Sequence, residues 1–318
     1  MRVFVTGSTG FVGGYVLDEL VQKGHEVLPL VRPGSEQKLP LKFKGEIVPG
    51  DAFNFEMPPG CDAVVHLIGI LRESRRKGIT FERLQFEAAK VVANAAMEAG
   101  STRFILQSAN GVKPHGTPYQ FTKYLAEEYV RSHGFDWTIF RPSILFGDPA
   151  YPSGPVGKPE FCSTLLRQMI RLPFPAPLFH PGINLMKAGK FRLQPIHVAD
   201  LAKGMVASLT NEASLGKIYH VGGEKEVTWH EIIDVVARAA GKKKWKFPVP
   251  AGGVKLVATL FGWVPGFPVT RDQITMLMEG NTCDSTDFFR DFFEGSSKQE
   301  RMVPFAPENL SYLRSVRG

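Results

Sequence analysis

Three glycines near the start of the chain stand where a tight, anion-binding turn would need them. Gly7, Gly10 and Gly13 follow the apolar run 2–6 and lead into a segment with helical periodicity. Glycine allows positive φ angles and close approach of a ligand, and a helix start offers free N–H groups. This order of strand, turn and helix predicts a site for the pyrophosphate of a dinucleotide. The residues expected to hold it are Gly7, Thr9, Gly10, Phe11, Val12 and Gly13.

Arg32 follows the second predicted strand, at the place where dinucleotide-binding domains distinguish their two cofactors. A carboxylate there accepts hydrogen bonds from the free adenosine ribose, whereas a basic side chain accommodates a ribose phosphate. The guanidinium of Arg32 can bind a phosphate through two hydrogen bonds, and Ser35 adds a hydroxyl donor. We therefore predict NADP(H) rather than NAD(H). The alternative is an arginine that stacks on the adenine of NAD(H).

Tyr119 and Lys123 are spaced so that a helix would place both side chains on one face. A phenol beside an ammonium group can exchange a proton with a carbonyl or an alcohol, because the positive charge favours the phenolate. A tyrosine and a lysine on a solvated helix face are the alternative. The pair is predicted to contact the cofactor because it follows the fifth strand in a chain that also carries the glycine turn.

Short apolar runs alternate with amphipathic segments through the first half of the chain, as in a parallel sheet covered by helices on both faces. The fold class is therefore predicted as α/β, a doubly wound parallel sheet of the Rossmann type over residues 1–142. Helices are expected at 11–23 and 81–99. The expected strands are 2–6, 26–31, 46–49, 63–68, 103–107 and 137–140.

After Arg141 proline and glycine become frequent and the regular alternation stops. This change predicts a smaller α/β lobe for a substrate or partner over 143–318, with segments around 190–222 returning to the first domain. A strand is expected at 217–221. Thr228 and Glu231 form a capping box at the start of a further helix.

Composition excludes several classes of protein. The chain has 318 residues, a net charge of +7 and 43% apolar side chains, which is enough for a sizeable core. Its three cysteines are far apart, so we expect neither disulfides nor a metal site, and a reducing cytoplasm fits best. Because the glycine turn begins at residue 6, we expect no signal peptide before it. The basic run 242–246 is predicted to be a solvated loop, and no nucleic-acid partner is expected.

The spacing of the glycines in 6–13 resembles the opening of the extended and atypical short-chain dehydrogenases. Further motifs match, at 50–51, 67–69, Tyr119-x-x-x-Lys123 and 141–143. The resemblance implies that Asp51 and Ala52 face the adenine and that Leu67, Ile68, Gly69 and Pro142 line the cofactor. It also implies that Tyr119 is the general acid or base and that Lys123 holds the nicotinamide ribose.

The family's catalytic serine has no direct counterpart. The alignment places Ala109 at that position, with Ser108 beside it, so Ser108 is the remaining candidate for this role. This departure leaves turnover open but does not affect cofactor binding. His66 is expected to be a hydrogen-bonded core residue. His197 and Asp200 resemble a family segment that structures the second lobe rather than a metal site.

Over residues 1–285 the chain looks similar to relatives of the nucleotide-binding accessory subunit of respiratory complex I. Two functions therefore stay open, an oxidoreductase or epimerase acting on a small carbonyl, alcohol or nucleotide-sugar-like substrate, and a protein that holds NADPH for structure or redox sensing. A surface helix is expected between the basic run 242–246 and the aromatic run 288–293. Its apolar face would either pack on the second lobe or contact a membrane or a membrane-bound partner. Its apolar positions are Val254, Val257, Leu260, Phe261 and Val264.

Overall fold

A parallel sheet of seven strands forms the centre of the molecule. The computed structural model describes residues 1–40, 43–151, 160–182, 184–255, 270–294 and 302–316. The strands of the sheet are β1 Arg2–Thr6, β2 Glu26–Val31, β3 Val48–Pro49, β4 Ala63–His66, β5 Arg103–Gln107, β6 Asp136–Pro142 and β11 Lys217–Val221. Their order is β11, β6, β5, β4, β1, β2, β3, and all neighbours are parallel.

Helices cover both faces of this sheet. They are α1 Phe11–Gln22, α2 Ala88–Glu98, α3 Pro118–Arg131, α5 Val198–Ala207 and α8 Thr286–Phe293. Alternation along β1 explains the two layers: Val3 and Val5 belong to one buried core with α1 and α5, whereas Phe4 belongs to the other core with α2 and α3. Because both faces are buried, the strand sequence is a continuous apolar run rather than an alternating one.

Other elements after residue 143 build a third hydrophobic core around α6 (Trp229–Ala239), whose Trp229, Ile232 and Val236 are buried. Three small two-stranded sheets surround it: β7 with β10, β8 with β13, and β9 with β12. The elements of this part are β7 Leu145–Phe146, α4 Phe161–Leu165, β8 Ala176–His180, β9 Arg192–Leu193, β10 Ile196–His197, β12 Val227–Thr228, α6 Trp229–Ala239, β13 Lys246–Pro250 and α7 Arg271–Glu279.

Short helical turns complete the described elements. Two are π-helices, Glu82–Glu87, which runs directly into α2, and Leu166–Ile170, which follows α4. The 3-10 helices are Glu36–Lys38, Arg75–Lys77, Leu185–Lys187, Glu212–Ser214 and Pro307–Arg314. No helix within the described ranges is both long and apolar enough to cross a bilayer.

The strand β11 comes from the second half of the chain yet completes the edge of the central sheet. Each residue of β11 lies beside one of β6, from Lys217 opposite Thr138 to Val221 opposite Pro142. The Ser143 amide then donates to the Val221 carbonyl at 2.8 Å. The two halves of the sequence are therefore joined within one sheet.

The predicted fold class, a doubly wound α/β sheet of the Rossmann type, is confirmed. The differences are local. The strand predicted at 46–49 keeps only Val48–Pro49, and the one predicted at 63–68 ends at His66, where the chain turns over the glycine loop. The first part of the helix predicted at 81–99 is a π-helix. Of the predicted surface helix, Val254 packs against the third core, around α6, and Val257, Leu260, Phe261 and Val264 lie outside the described residues.

Asp200 is a fully buried carboxylate in the first turn of α5. Its Oδ2 accepts a hydrogen bond from the Val303 amide at 2.8 Å, and the Lys203 ammonium lies 4.0 Å from Oδ1. Burial is the main cause that raises the pKa of Asp200 to about 6. The Asp200 carboxylate thus holds the segment 302–316 against α5, but burial of its negative charge destabilises the folded state.

The pKa of Asp200 makes a prediction about stability against pH. In the folded state the pKa of Asp200 is above its ordinary value of 3.8, so the folded state holds this proton more tightly than the unfolded state does. The stability that comes from the protonated group is therefore fully present below pH 3.8 and is lost as the pH rises through about 6. Asp200→Asn keeps an acceptor for Val303 without the charge. It is expected to raise the free energy of unfolding by about 1–3 kcal/mol near pH 7, and by little near pH 4. Urea titrations at both pH values measure this, and equal differences would contradict it.

Candidate functional site

The glycine turn connects β1 to α1 and packs against the end of β4. Gly7 has φ +72°, and a Cβ on it would lie 2.9 Å from the Leu67 carbonyl carbon. A Cβ on Gly13 would lie 2.3 Å from the Gly7 oxygen and 2.6 Å from the Ser8 oxygen. The Gly10 amide donates to the Gly7 oxygen at 2.9 Å. Only residues without side chains fit at these points, so the turn brings bare backbone to the edge of the sheet.

The first turn of α1 has the properties of an anion site. Gly10 is its N-cap, no side chain caps the helix, and no acidic residue stands in its first turn. Its first N–H groups and the positive end of the dipole therefore remain available to a ligand. Thr9, Phe11 and Val12 are half-buried around this point. The turn thus fits the diphosphate of a dinucleotide, as the sequence predicts.

Arg32 lies directly after β2, in the turn that leads to Ser35. Its side chain is exposed and has no hydrogen bond or ion pair with other residues of the described part of the chain. The Ser35 amide donates to the Arg32 carbonyl at 2.9 Å, and Gly34 has φ +81°, so the turn is tight. The buried Ser8 hydroxyl donates to the Leu30 carbonyl at 2.9 Å and fastens the glycine turn to β2. Among the described residues the Arg32 guanidinium therefore has no partner, and it follows the strand to which the glycine turn is fastened.

The other residues predicted to line the cofactor follow the carboxyl ends of β3, β4 and β6. Asp51 Oδ1 accepts from the Phe53 amide at 2.8 Å, and Ala52 is buried. Leu67 and Ile68 are half-buried and Gly69 is exposed, directly after β4, while Pro142 ends β6. Since carboxyl ends of parallel strands share one edge of the sheet, these residues lie on the same side as the glycine turn.

Tyr119 and Lys123 both belong to α3, which begins with a capping box at Thr117. The Lys123 side chain is 5% exposed, and its Nζ donates to the Gln107 carbonyl at 2.9 Å and to the Ile68 carbonyl at 3.5 Å. A Cβ on Gly69 would lie 3.2 Å from that Nζ. The ammonium therefore sits between the ends of β4 and β5, against the loop predicted to line the cofactor.

Burial changes the proton affinities of this pair. It lowers the pKa of Lys123 to about 8, although the nearby Glu127 carboxylate acts in the opposite direction. It also raises the pKa of the Tyr119 phenol to about 12. The Tyr119 ring packs edge-to-face on Phe81 with centroids 5.6 Å apart, which fixes the direction of the phenol. At neutral pH the Tyr119 phenol is therefore protonated, and Lys123 loses its proton more easily than an ordinary lysine does.

Ser108 is not directed toward the phenol. Its hydroxyl is buried and donates to the Glu127 carboxylate, which is fully buried. Glu127 binds the Arg141 guanidinium in a bidentate pair, with Nε 2.9 Å from Oε1. Ser108, Glu127 and Arg141 thus form a closed polar cluster beneath Lys123. This arrangement favours a positioning role for Ser108 rather than contact with a substrate.

Sequence reasoning missed Gln85, a buried amide that joins the cofactor loop to α3. Its Nε2 donates to the Ile70 carbonyl at 2.9 Å, and its Oε1 accepts from the Thr122 hydroxyl at 2.8 Å. Gln85 lies in the π-helix Glu82–Glu87, a feature that often marks functional sites. The signal was a polar residue within the apolar face of the helix predicted at 81–99.

A second polar group that the sequence did not reveal surrounds Asn110, which follows β5. Its Nδ2 donates to Asn281 Oδ1 at 2.8 Å, and its Oδ1 lies 3.3 Å from His220 Nδ1. Gln194 links the same region, since its Oε1 accepts from the Cys283 amide at 2.9 Å. These residues are distant in sequence, so no local pattern could connect them.

Two further histidines, His66 and His197, have structural surroundings. His66 is fully buried and its Nδ1 lies 2.9 Å from the Thr6 hydroxyl, so it is a core residue as predicted. His197 Nδ1 accepts from the Ala199 amide at 3.2 Å and caps α5. The described parts of the chain contain no group of three or more His, Cys, Asp or Glu arranged to hold a metal ion.

Comparison with known proteins identifies relatives. The NADH dehydrogenase [ubiquinone] 1 alpha subcomplex subunit 9 of Arabidopsis thaliana is 27% identical over 73% of this chain, a match that spans only 56% of that relative's length. The ceramide reductase of Caulobacter vibrioides is 25% identical over 81% of this chain and 76% of its own. The UDP-glucuronic acid 4-epimerase of Bacillus cereus, solved with UDP-glucuronic acid and NAD, has the same fold, with a TM-score of 0.68, 18% identity and complete coverage of both chains.

The model of the NAD dependent epimerase/dehydratase family matches residues 3–222, which include the glycine turn, the Tyr119 and Lys123 pair and the edge strand β11. The predicted resemblance to the short-chain dehydrogenases is thereby confirmed at the level of the family. With the glycine turn, the uncapped α1 and this match together, the chain belongs to the NAD dependent epimerase/dehydratase family.

Proposed function

We propose that this protein binds NADP(H) along the carboxyl edge of its sheet and acts as an oxidoreductase on a carbonyl or alcohol, with Tyr119 as the proton donor or acceptor and Lys123 as its partner. The observation that carries the proposal is the buried Lys123 ammonium, held by the Gln107 carbonyl at 2.9 Å and facing Gly69. Among the described residues no carboxylate pairs directly with this ammonium, and Glu127 acts on it only from a distance. A buried ammonium without a direct ion pair is costly, and such groups cluster at functional sites. When bound, the nicotinamide supplies or accepts a hydride.

The protein's own groups supply the rest of the reaction. A phenol with a pKa of about 12 is protonated at neutral pH, so Tyr119 can donate a proton to a carbonyl oxygen as that oxygen becomes negative. Two hydrogen bonds of Lys123 hold its Nζ in place, and its third N–H is free to contact the phenolate or a ribose hydroxyl. In the opposite direction the same charge helps Tyr119 to accept a proton.

We propose a polar substrate with several hydroxyl groups, of the nucleotide-sugar type. Asn110 follows β5, His220 lies near the carboxyl end of β11, and Asn281 contacts Asn110, so this polar group is at the edge of the sheet where the cofactor residues lie. Side-chain amides and an imidazole can donate to and accept from hydroxyl groups. The solved neighbour from Bacillus cereus carries UDP-glucuronic acid, which supports this class.

The first experiment is to denature the purified protein and identify any nucleotide that it releases. Released NADP(H), followed by NADPH consumption with a panel of UDP-sugars and small carbonyl compounds, is the expected result. A nucleotide without any turnover across the panel would favour the second candidate below. Failure to bind either dinucleotide would overturn the proposal.

Arg32 makes the cofactor preference testable. If its free guanidinium binds the ribose phosphate, NADPH should bind at least about tenfold more tightly than NADH, since a charged hydrogen bond is worth about 1.5–3 kcal/mol. Arg32→Ala should remove this preference and leave NADH affinity unchanged. Isothermal titration calorimetry at moderate salt gives both constants, with Arg76→Ala, an exposed arginine elsewhere, as the control. Equal affinities in the unmodified protein would show that Arg32 does not select the cofactor.

A second candidate is a protein that holds NADPH without turnover, in the cytoplasm or at a membrane-bound partner. Two observations favour it: the Ser108 hydroxyl donates its hydrogen bond to Glu127, and Ala109 stands at the family's serine position. The relative from Arabidopsis thaliana, which is named as a subunit of an NADH dehydrogenase, also supports this second candidate. The two candidates differ in whether the protein turns over a substrate, and the kinetics of the unmodified protein and of Tyr119→Phe measure this difference.

A further inference from the structure

Two neighbouring segments, 171–174 and 242–247, expose four large apolar side chains on the side of the third core, around α6. Their exposed fractions are 83% for Trp245, 72% for Phe174, 63% for Phe247 and 47% for Leu172. Single exposed apolar residues are ordinary, but four together within one small area mark a contact surface. We call these two segments the Trp245 surface.

Backbone contacts hold the Trp245 surface together. The Ala176 amide donates to the Trp245 carbonyl at 2.7 Å, and Lys244 Nζ donates to the Leu172 carbonyl at 2.6 Å. The strands that follow, β8 and β13, continue the pairing in parallel. Between the segments is an open hollow of about 380 Å³. The apolar side chains are therefore presented by a fixed scaffold rather than by one loop.

The Trp245 surface is also cationic. Arg171, Lys242, Lys243 and Lys244 line its hollow, whereas Lys246 points the other way and pairs with Asp234 at 2.5 Å. Lys242 and Lys243 are exposed, as expected for a solvated loop. Alternation explains only the last part of this segment, where Trp245 and Phe247 share one face and Lys246 takes the other.

We propose that the Trp245 surface docks the protein onto an anionic membrane, with Trp245 and Phe174 entering the headgroup region and the lysines facing acidic phospholipids. Tryptophan and phenylalanine beside lysines are the side chains that favour this interface, and each basic residue near an anionic leaflet adds to binding. Charge complementarity favours lipid over a second copy. Two such surfaces face to face would bring eight like charges together, four from each copy.

Co-sedimentation of the full chain with lipid vesicles tests this proposal. Vesicles that contain phosphatidylglycerol should bind the protein, and binding should fall with added salt and be much weaker on pure phosphatidylcholine. Phe174→Ser with Trp245→Ser, and separately Lys242→Glu with Lys243→Glu, should each reduce the partition coefficient about a hundredfold. Circular dichroism and thermal unfolding should be unchanged, because all four side chains are exposed.

Matched variants control for charge and apolarity. Lys23→Glu with Lys44→Glu changes the net charge equally but lies on the first domain, and Val21→Ser with Met97→Ser removes exposed apolar groups there. Both should bind as the unmodified protein does. If they reduce binding as much as the surface variants do, or if no vesicle binds at low salt, the proposal is overturned. A dimer that the Phe174 and Trp245 variant dissociates, without vesicle binding, would likewise overturn it.

Discussion

Tyr119→Phe is expected to lower turnover about a hundredfold or more while NADPH affinity changes little. The reason is that the substitution removes only the phenol Oη, which would transfer the proton, and keeps the ring packed on Phe81. Lys123→Ala is expected to weaken both turnover and affinity, because its Nζ is held where the cofactor loop passes. Steady-state kinetics and calorimetric titration with NADPH separate the two effects.

Tyr124→Phe is the matched control, since Tyr124 lies on the same helix and undergoes the same loss of one hydroxyl. It should leave both rate and affinity unchanged. An unaffected rate in Tyr119→Phe would exclude the phenol from the mechanism. A protein with no turnover before mutation, but with tight NADPH binding that Lys123→Ala weakens, would instead be the cofactor-holding protein.

Glu127→Ala is expected to lower the free energy of unfolding by about 3–5 kcal/mol. The carboxylate is fully buried, accepts from Ser108 and holds Arg141 through two hydrogen bonds. Without it, the guanidinium of Arg141 stays largely buried and uncompensated. Urea denaturation at neutral pH measures the loss. The double variant Glu127→Ala with Arg141→Met should recover part of it, because the unpaired charge is gone.

The adjacent residue provides the control. Glu128 also pairs with an arginine, Arg131, but both side chains are more than 40% exposed. Glu128→Ala should therefore cost no more than about 1 kcal/mol. Equal losses for Glu127→Ala and Glu128→Ala would mean that burial does not control the strength of the Glu127 pair.

The sequence predicted the central sheet because burial on both faces leaves a direct trace, a continuous apolar run such as 2–6 or 103–107. The predicted length of β3 was too great, because only Val48–Pro49 of the predicted strand 46–49 pairs with β2. The glycine turn and the pair of Tyr119 and Lys123 could also be predicted, because the residues of each motif are close together in the sequence. The capping box of Thr228 and Glu231 was confirmed for the same reason.

What escaped prediction depends on contacts between distant residues. Nothing near Ser108 indicates that its hydroxyl turns toward Glu127, because that choice depends on where α3 and β6 place Arg141. The cluster of Asn110, His220 and Asn281 requires the whole fold to assemble. The exposure of Trp245 agrees with the solvated loop predicted at 242–246, but its position beside the exposed Phe174 could not be predicted, because the two residues are distant in sequence.

The position of β11 has a consequence for synthesis on the ribosome. When residue 142 emerges, β6 has one partner, β5, and the opposite edge of the sheet stays open until residues 217–221 arrive. At usual translation rates this interval lasts on the order of ten seconds. An open edge with Ile139 and Phe140 on it is a template for wrong pairing. Nascent chains halted after β6 has left the exit tunnel, but before residues 217–221 have left it, should therefore be the species on which chaperones act, and release of β11 from the tunnel should end that dependence.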